Sequence, residues 1–320
     1  MNAQKIVFLD ASTVDAGDVD LGQISQLAEG YEEYPVTSAD NVVSNIGDAD
    51  VILTNKVVIP NEVMGECKNL KLICVTATGT NNVDLEAAKA RGIAVCNVAG
   101  YSTNSVTQHT ISMLLNLFSG IHQYAGERAK WAESPIFTRL DYPVSEVSGK
   151  VLGIAGLGSI GKSVATVAEA LGMKVVGLAR GNSSNDPSRT RLVKQEFFAI
   201  SDSVSLHCPL TPQTHHLIRA ETIGMMKPGA FLINTGRGDL VDEVALAGAL
   251  KSGRLGGAAL DVLSEEPPQA DHPLLCPDIP NLIVTPHSAW AAVESRRKLM
   301  EEVAENIRAY CRGEERNRIV

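Results

Sequence analysis

The stretch VLGIAGLGSIG, residues 151–161, constrains the fold more than any other part of the chain. An apolar run ends in a glycine-rich turn, and the turn opens directly onto a helical pattern, SIGKSVATVAEALG. A buried strand, a tight turn and a helix in that order begin a βαβ unit of a parallel sheet. The three glycines have separate uses. Gly156 makes the turn, Gly158 lets the backbone approach a pyrophosphate, and Gly161 lets helix and strand lie close together. The helix N-terminus adds free N–H groups and a partial positive charge. Without its strand and helix such a turn is weak evidence of dinucleotide binding; with both it is far stronger.

The rest of the chain repeats the same alternation. KIVFLD, ADVILTN, LKLICVT and IAVCNV read as strands separated by helical segments such as DLEAAKARG, which stops at Gly92. Residues 102–131 read as one long helix that begins among Ser and Thr caps. A second series then runs through GKVLGIAGLGSIG, MKVVGLA, SVSLH, GAFLINTG, GGAALDV and NLIVTP. Two doubly wound parallel α/β domains follow from this pattern. The last helical segment, residues 291–312, has no strand after it and is expected to pack back on the first domain, making that domain discontinuous. The boundaries are 1–101 with 290–320 for a substrate domain and 102–289 for a dinucleotide-binding domain.

Composition narrows the partners. Across 320 residues, 44% are hydrophobic and the net charge is -9, with no basic stripe for nucleic acid or for a membrane surface. A small molecule is the expected partner. No apolar run is long enough to span a bilayer and the N-terminus lacks a signal-peptide core, so a cytoplasmic location is expected. Six cysteines lack C-x-x-C spacing and read as buried or partly buried free thiols; no metal site is expected.

An acid is expected at the end of the strand after the glycine turn, where it would hold the ribose 2′-OH of NAD. The position is Ala179, and Arg180 follows. A guanidinium there favours a 2′-phosphate, and Asn182 and Ser183 add donors, so NADP(H) is preferred with NAD(H) as the alternative.

Three later stretches each lie at or just after a strand's C-terminal end: INTGRGDLVDE with Arg237, ALDVLSEEPP with Glu266, and IVTPHSAW with His287. Each has an ordinary structural use when taken alone. Together, behind a dinucleotide turn, they match what a 2-hydroxy acid oxidoreductase needs. Arg237 would grip a carboxylate in two-pronged fashion. His287 would exchange a proton with the substrate oxygen, and Glu266 would fix its tautomer.

At this point the residues resemble the D-isomer-specific 2-hydroxyacid dehydrogenases over nearly the whole chain. VTATGTNNVDLEAAKARGI, GLGSIG, LHCPLTPQTHHLI, MKPGAFLINTGRGDLVDEVAL, LDVLSEEPP and TPHSAW are similar to that family's ordered signatures. The resemblance implies two Rossmann-like domains with a cleft between them, a closing motion and a homodimer. It implies Arg237, Glu266 and His287 as the catalytic set. Arg237 and His287 would meet substrate together with the backbone at Thr78 and Gly79. The glycine turn with Ser159 and Ile160, then His207, Cys208, Pro209, Thr235 and Gly236, would line the cofactor, with Asp261 at the nicotinamide carboxamide and His287 close by. AGYSTNSVTQHT, LDYPVSEVSGKVLG and PNLIVTPHSAW look most like glycerate dehydrogenases, also called hydroxypyruvate or glyoxylate reductases. Broader D-2-hydroxyacid or phosphoglycerate-type dehydrogenases, and the family's dinucleotide-sensing corepressors, are the alternatives. The chain departs from the family pattern at Ala179 and Arg180, and at Gln108 and His109, which stand where many members carry a glutamate. His122 and His272 receive no role, His215 and His216 read as surface residues, and Trp290 reads as packing.

Overall fold

Residues 3–179 and 189–320 are described by a computed structural model. The chain divides into two compact units, one running to Ser102 and resuming at Trp290–Val320, the other Thr103–Ala289.

The first unit is built on a parallel sheet of β1 (Ala3–Phe8), β2 (Ala28–Glu33), β3 (Val51–Thr54), β4 (Leu72–Val75) and β5 (Ala94–Cys96), ordered β2-β1-β3-β4-β5. Its central strands are apolar at nearly every position because both faces are covered. On one face the C-terminal helix Val293–Cys311 inserts Leu299, Met300, Val303, Ala304 and Ile307 beside Ile6, Phe8, Leu53 and Leu72, so the unit is discontinuous. The chain end then lies along β5, where Ile319 N–H donates to the Val95 carbonyl at 2.7 Å. Strand β2, AEGYEE, escapes the apolar pattern. It sits at the sheet edge with its side chains half-buried or exposed, and Glu32 meets Lys5 of β1 at 2.9 Å. An edge strand needs no continuous apolar run.

The second unit holds β6 (Val151–Ala155), β7 (Lys174–Leu178), β8 (Arg191–Leu192), β9 (Ser203–Leu206), β10 (Ala230–Asn234), β11 (Leu255–Leu260) and β12 (Leu282–Val284). All are parallel, in the order β12-β11-β10-β9-β6-β7-β8. The order reverses between β6 and β9, where Ala155 pairs with Leu206. Open parallel sheets take their ligands at such a switch point, outside the strands' carboxyl ends. On the far side, Asn234 pairs with Leu260 and Leu260 with Val284, so the residues that follow those strands emerge at one edge.

Helix α1 (Thr103–Ser119) and helix α2 (Ser159–Ala170), which follows β6, pack against this sheet. The long helix expected over 102–131 is broken at Gly120, whose φ of 63° ends α1; a short helix, Ile121–Gly126, and a 3-10 segment, Arg128–Glu133, follow. A left-handed glycine terminates a helix because only glycine adopts that conformation without side-chain strain. No helix among the described residues is long and apolar enough to cross a membrane.

Candidate active site

At the switch point the glycine turn is shaped by close approaches. Gly156 has φ 102°, and a Cβ there would lie 2.5 Å from the Cys208 amide nitrogen and 2.6 Å from the His207 carbonyl. A Cβ at Gly161 would overlap the Gly156 carbonyl oxygen. Around Gly158, in contrast, nothing lies within 4 Å of that position. Two glycines are therefore filled by the protein itself while the third faces open space, at the head of a helix that has no side-chain cap. That space, bounded by the first turn with Ser159 and Ile160, fits a pyrophosphate.

Across the turn, the backbone of His207 donates to the Ala155 carbonyl at 2.8 Å, and its Nε2 lies 2.8 Å from Ser205 Oγ. The residue as a whole is half-buried, and its imidazole sits deep enough that burial pushes its pKa down to about 4. His207 is thus a neutral neighbour of the turn. Pro209, two residues on, is exposed. At the end of β7, Ala179 donates its N–H to the Leu192 carbonyl and brings no carboxylate. Arg180, Asn182 and Ser183 lie outside the described residues.

The turn after β10 is held from within. Asn234 is fully buried; its Oδ1 accepts the Gly236 N–H at 3.0 Å and its Nδ2 donates to the Arg237 carbonyl at 2.8 Å. Arg237 is exposed, with Nη1 donating to the Gly236 carbonyl at 2.7 Å. That bond occupies one of the five guanidinium N–H donors, and the planar fork can still offer two others to a carboxylate ligand. A Cβ at Gly238 would overlap the Leu263 carbonyl and the Ser264 nitrogen, so the arginine turn rests directly on the segment that carries Glu266.

Glu266 and His287 meet. Nδ1 of His287 lies 2.6 Å from Oε2 of Glu266, while Oε1 accepts the Leu263 N–H at 3.1 Å. A carboxylate only accepts, so Nδ1 carries its hydrogen, and Nε2 of the neutral ring is then the nitrogen able to take up a proton. The ring is 28% exposed, open enough for a small ligand. Its backbone has φ 50°, a left-handed conformation uncommon for a non-glycine residue and one that surrounding bonds must hold.

Those bonds come from Asp261, which is 1% exposed. Its carbonyl accepts the His287 N–H at 2.8 Å, Oδ1 accepts from Ser288 N–H at 2.9 Å, and Oδ2 accepts from Ala289 N–H at 2.8 Å. With its carboxylate committed to that turn, Asp261 works here as a clamp on the histidine. Thr235, after β10, lies 3.1 Å from Thr110 of α1 through their hydroxyls.

Sequence reasoning missed several supports. Glu243 accepts from Ser264 N–H at 2.9 Å and from the Ser264 hydroxyl, and pairs with His272 Nε2 at 3.0 Å; both side chains are nearly buried. This group ties the Glu266 segment to the start of helix Glu243–Lys251. Asn234, Gly238, Glu243 and His272 have no distinguishing spacing, although the NTGRG run hinted that the arginine turn was constrained. Thr78 and Gly79 belong to the first unit, just after β4, where the Thr78 hydroxyl donates to the Val98 carbonyl at 2.9 Å. Trp290 is also in that unit, edge-on to Tyr101 at 6.3 Å. His215 and His216 stack at 3.9 Å. Cys276 is exposed, unlike the other cysteines, against the expectation of buried or partly buried thiols throughout.

The model of the D-isomer specific 2-hydroxyacid dehydrogenase NAD binding domain matches residues 111–289, more than half of the chain, with Arg237, Glu266 and His287 within it. The chain belongs to the D-isomer specific 2-hydroxyacid dehydrogenases. It is 40% identical to a hydroxypyruvate reductase of Blautia hydrogenotrophica over 97% of each chain. It is equally similar, at 40%, to a glycerate dehydrogenase of Methylorubrum extorquens over 98% of each. A solved structure of an acyclic imino acid reductase in complex with NADPH and D-Arg superposes with a TM-score of 0.86 at 30% identity, covering 99% of this chain and 100% of that one. As a member of this family the chain is an oxidoreductase that interconverts a 2-keto acid and its D-2-hydroxy acid with a nicotinamide dinucleotide.

Proposed function

We propose that this dehydrogenase reduces hydroxypyruvate or glyoxylate to D-glycerate or glycolate and takes NADP(H) in preference to NAD(H). The observation that carries the chemistry is the 2.6 Å pair of Glu266 and His287. Arg237 holds the substrate carboxylate. Glu266 keeps the Nδ1 hydrogen of His287 in place, so that Nε2 gives its proton to the keto oxygen as the carbonyl carbon is reduced. In the oxidative direction Nε2 takes that proton back. The bound dinucleotide supplies or accepts the hydride. Gly158, Ser159 and Ile160 would hold its pyrophosphate, and Cys208, Pro209, Thr235 and Gly236 would line it.

The substrate assignment is supported by the two relatives named hydroxypyruvate reductase and glycerate dehydrogenase. The cofactor assignment is supported by Ala179 at the end of β7, where an acid would repel a 2′-phosphate, and by the NADPH in the complex of the imino acid reductase. A run of exposed apolar side chains, with Phe137 at 90% and Leu140 at 80% exposure, supports a homodimer. A cytoplasmic location goes with use of the reduced dinucleotide pool, and cell fractionation checks it.

Absorbance at 340 nm with a panel of 2-keto acids and each dinucleotide tests the reading. Hydroxypyruvate and glyoxylate should give the highest kcat/KM, with NADPH above NADH. Turnover confined to other acids would refute the substrate assignment, and no turnover at all would favour a dinucleotide sensor. Arg180→Ala should remove a preference of about 10- to 150-fold for NADPH, the worth of a charged hydrogen bond, with NADH use retained. Light scattering of the purified chain should return a dimer mass.

A further inference from the structure

His109 stands, with Gln108, where the chain departs from the family pattern. It lies on α1, far in sequence from the acid–base turn, yet its Nε2 is 3.0 Å from Thr285 Oγ1 and 3.5 Å from Asp261 Oδ1. Thr285 in turn lies 2.5 Å from the same Asp261 oxygen. The direction of these bonds follows from the groups. Asp261 already takes two backbone N–H groups on its carboxylate and acts as acceptor, so the single hydroxyl hydrogen of Thr285 points at it. The Thr285 oxygen can then only accept from His109, whose Nε2 must carry a hydrogen. The chain of donation runs from His109 through Thr285 to Asp261.

That chain ends on the residue that clamps His287. Thr285, His287, Ser288 and Ala289 form one turn, and Asp261 takes the N–H groups of 287, 288 and 289, through its carbonyl for the first and its carboxylate for the other two. The left-handed φ of His287 persists only while that turn is held. The next residue of α1 acts alike on the neighbouring turn. Thr110 is fully buried and its hydroxyl donates to the Val106 carbonyl at 2.8 Å, so it accepts from Thr235.

We propose that His109 is a positioning residue for His287: by donating to Thr285 it orients the hydroxyl that locks Asp261, and so sets the direction in which the acid–base imidazole faces. It does not touch substrate. The proposal rests on the acid–base reading of His287, and it deepens that reading by naming what aims the ring. Loss of the His109 donor frees the Thr285 hydroxyl to rotate and loosens the turn, which lowers the rate of proton transfer while leaving the carboxylate grip of Arg237 intact.

The test compares His109→Leu with His109→Gln, whose amide nitrogen can reach the position of Nε2. His109→Leu is expected to lower kcat by about 10-fold, the worth of one net hydrogen bond, with KM for the keto acid within about 2-fold of wild type. His109→Gln is expected to recover most of that loss. In the apo protein the ring C–H resonances of His287, assigned by their disappearance in His287→Ala, should shift in the Leu variant and return in the Gln variant. Thr285→Val and Thr285→Ser form a second pair should His109→Leu fail to fold, with Val acting like Leu and Ser like wild type. Unchanged kcat and unchanged resonances in the Leu variant would overturn the proposal, as would a Gln variant as impaired as Leu, which would mean packing alone. Were His287→Ala fully active, the acid–base reading would fail, whereas the resonances would still report whether His109 aims the ring.

Discussion

The glycine turn after β6 and the turn that carries His287 after β12 stand at the same edge of one parallel sheet, yet different forces shape them. The first is defined by absent atoms. Gly156 and Gly161 exist because backbone from Cys208 or from the turn itself occupies the place of a side chain. The second is defined by hydrogen bonds from side chains far apart in sequence. Glu266, Asp261, Thr285 and His109 converge on it from two strand ends, a loop and a helix. A steric turn is local and tolerates no addition, while a bonded turn is distributed and fails by degrees as donors are removed.

The largest expected effect is at the bonded turn. His287→Ala should lower kcat by about 10²- to 10⁴-fold in steady-state assays, while intrinsic fluorescence shows the chain still folded. Next comes the steric turn, where two substitutions separate folding from binding. Gly156→Ala should destabilise by about 3 kcal/mol or more in urea denaturation, because the new Cβ meets backbone that cannot move aside and the φ is left-handed. Gly158→Ala should leave stability within about 0.5 kcal/mol, since nothing surrounds it. It should nonetheless weaken dinucleotide binding by on the order of 10-fold in a fluorescence titration. If both glycines behaved alike, the contrast between a filled and an open position would fall.

A smaller effect comes from His207, beneath the glycine turn. Its pKa is lowered to about 4 by burial, against about 6.5 in an unfolded chain. The neutral form is favoured in the fold, so its contribution is complete above pH 6.5 and declines as pH falls toward 4. The loss is on the order of 3 kcal/mol, and chemical denaturation across that range should show it. His207→Asn should flatten this part of the profile; an unchanged slope would mean that the imidazole titrates alike in the folded and unfolded chain. Smallest is Asn234→Ala, expected to cost about 1–3 kcal/mol through the unpaired Gly236 and Arg237 backbone groups, with KM for the keto acid raised more than kcat is lowered.

Legibility in the sequence followed the same division. The strands with uninterrupted apolar runs were readable, because burial on both faces leaves a continuous pattern. Strand β2 was not, since its polar edge carries no such pattern, and β8 is only two residues long. The break at Gly120 was passed over because the apolar spacing continues beyond it while the backbone does not. Arg237, Glu266 and His287 stand out in the sequence by their places after strands, whereas the residues that brace them do not. Asn234 reads as a strand residue, and Glu243 and His272 read as an ordinary helix start and loop.

The sequence by itself determined the parallel α/β architecture, the glycine turn after β6 and which charged groups follow the strands. These depend on apolar periodicity, on steric minima and on residue type, all of which are properties of short segments. The tertiary structure alone decided how those groups are aimed. The 2.6 Å contact between Glu266 and His287, the clamp of Asp261 and the reach of His109 to Thr285 join positions up to 176 residues apart. Hydrogen-bond geometry over such separations exists only once the sheet has brought the strand ends into register.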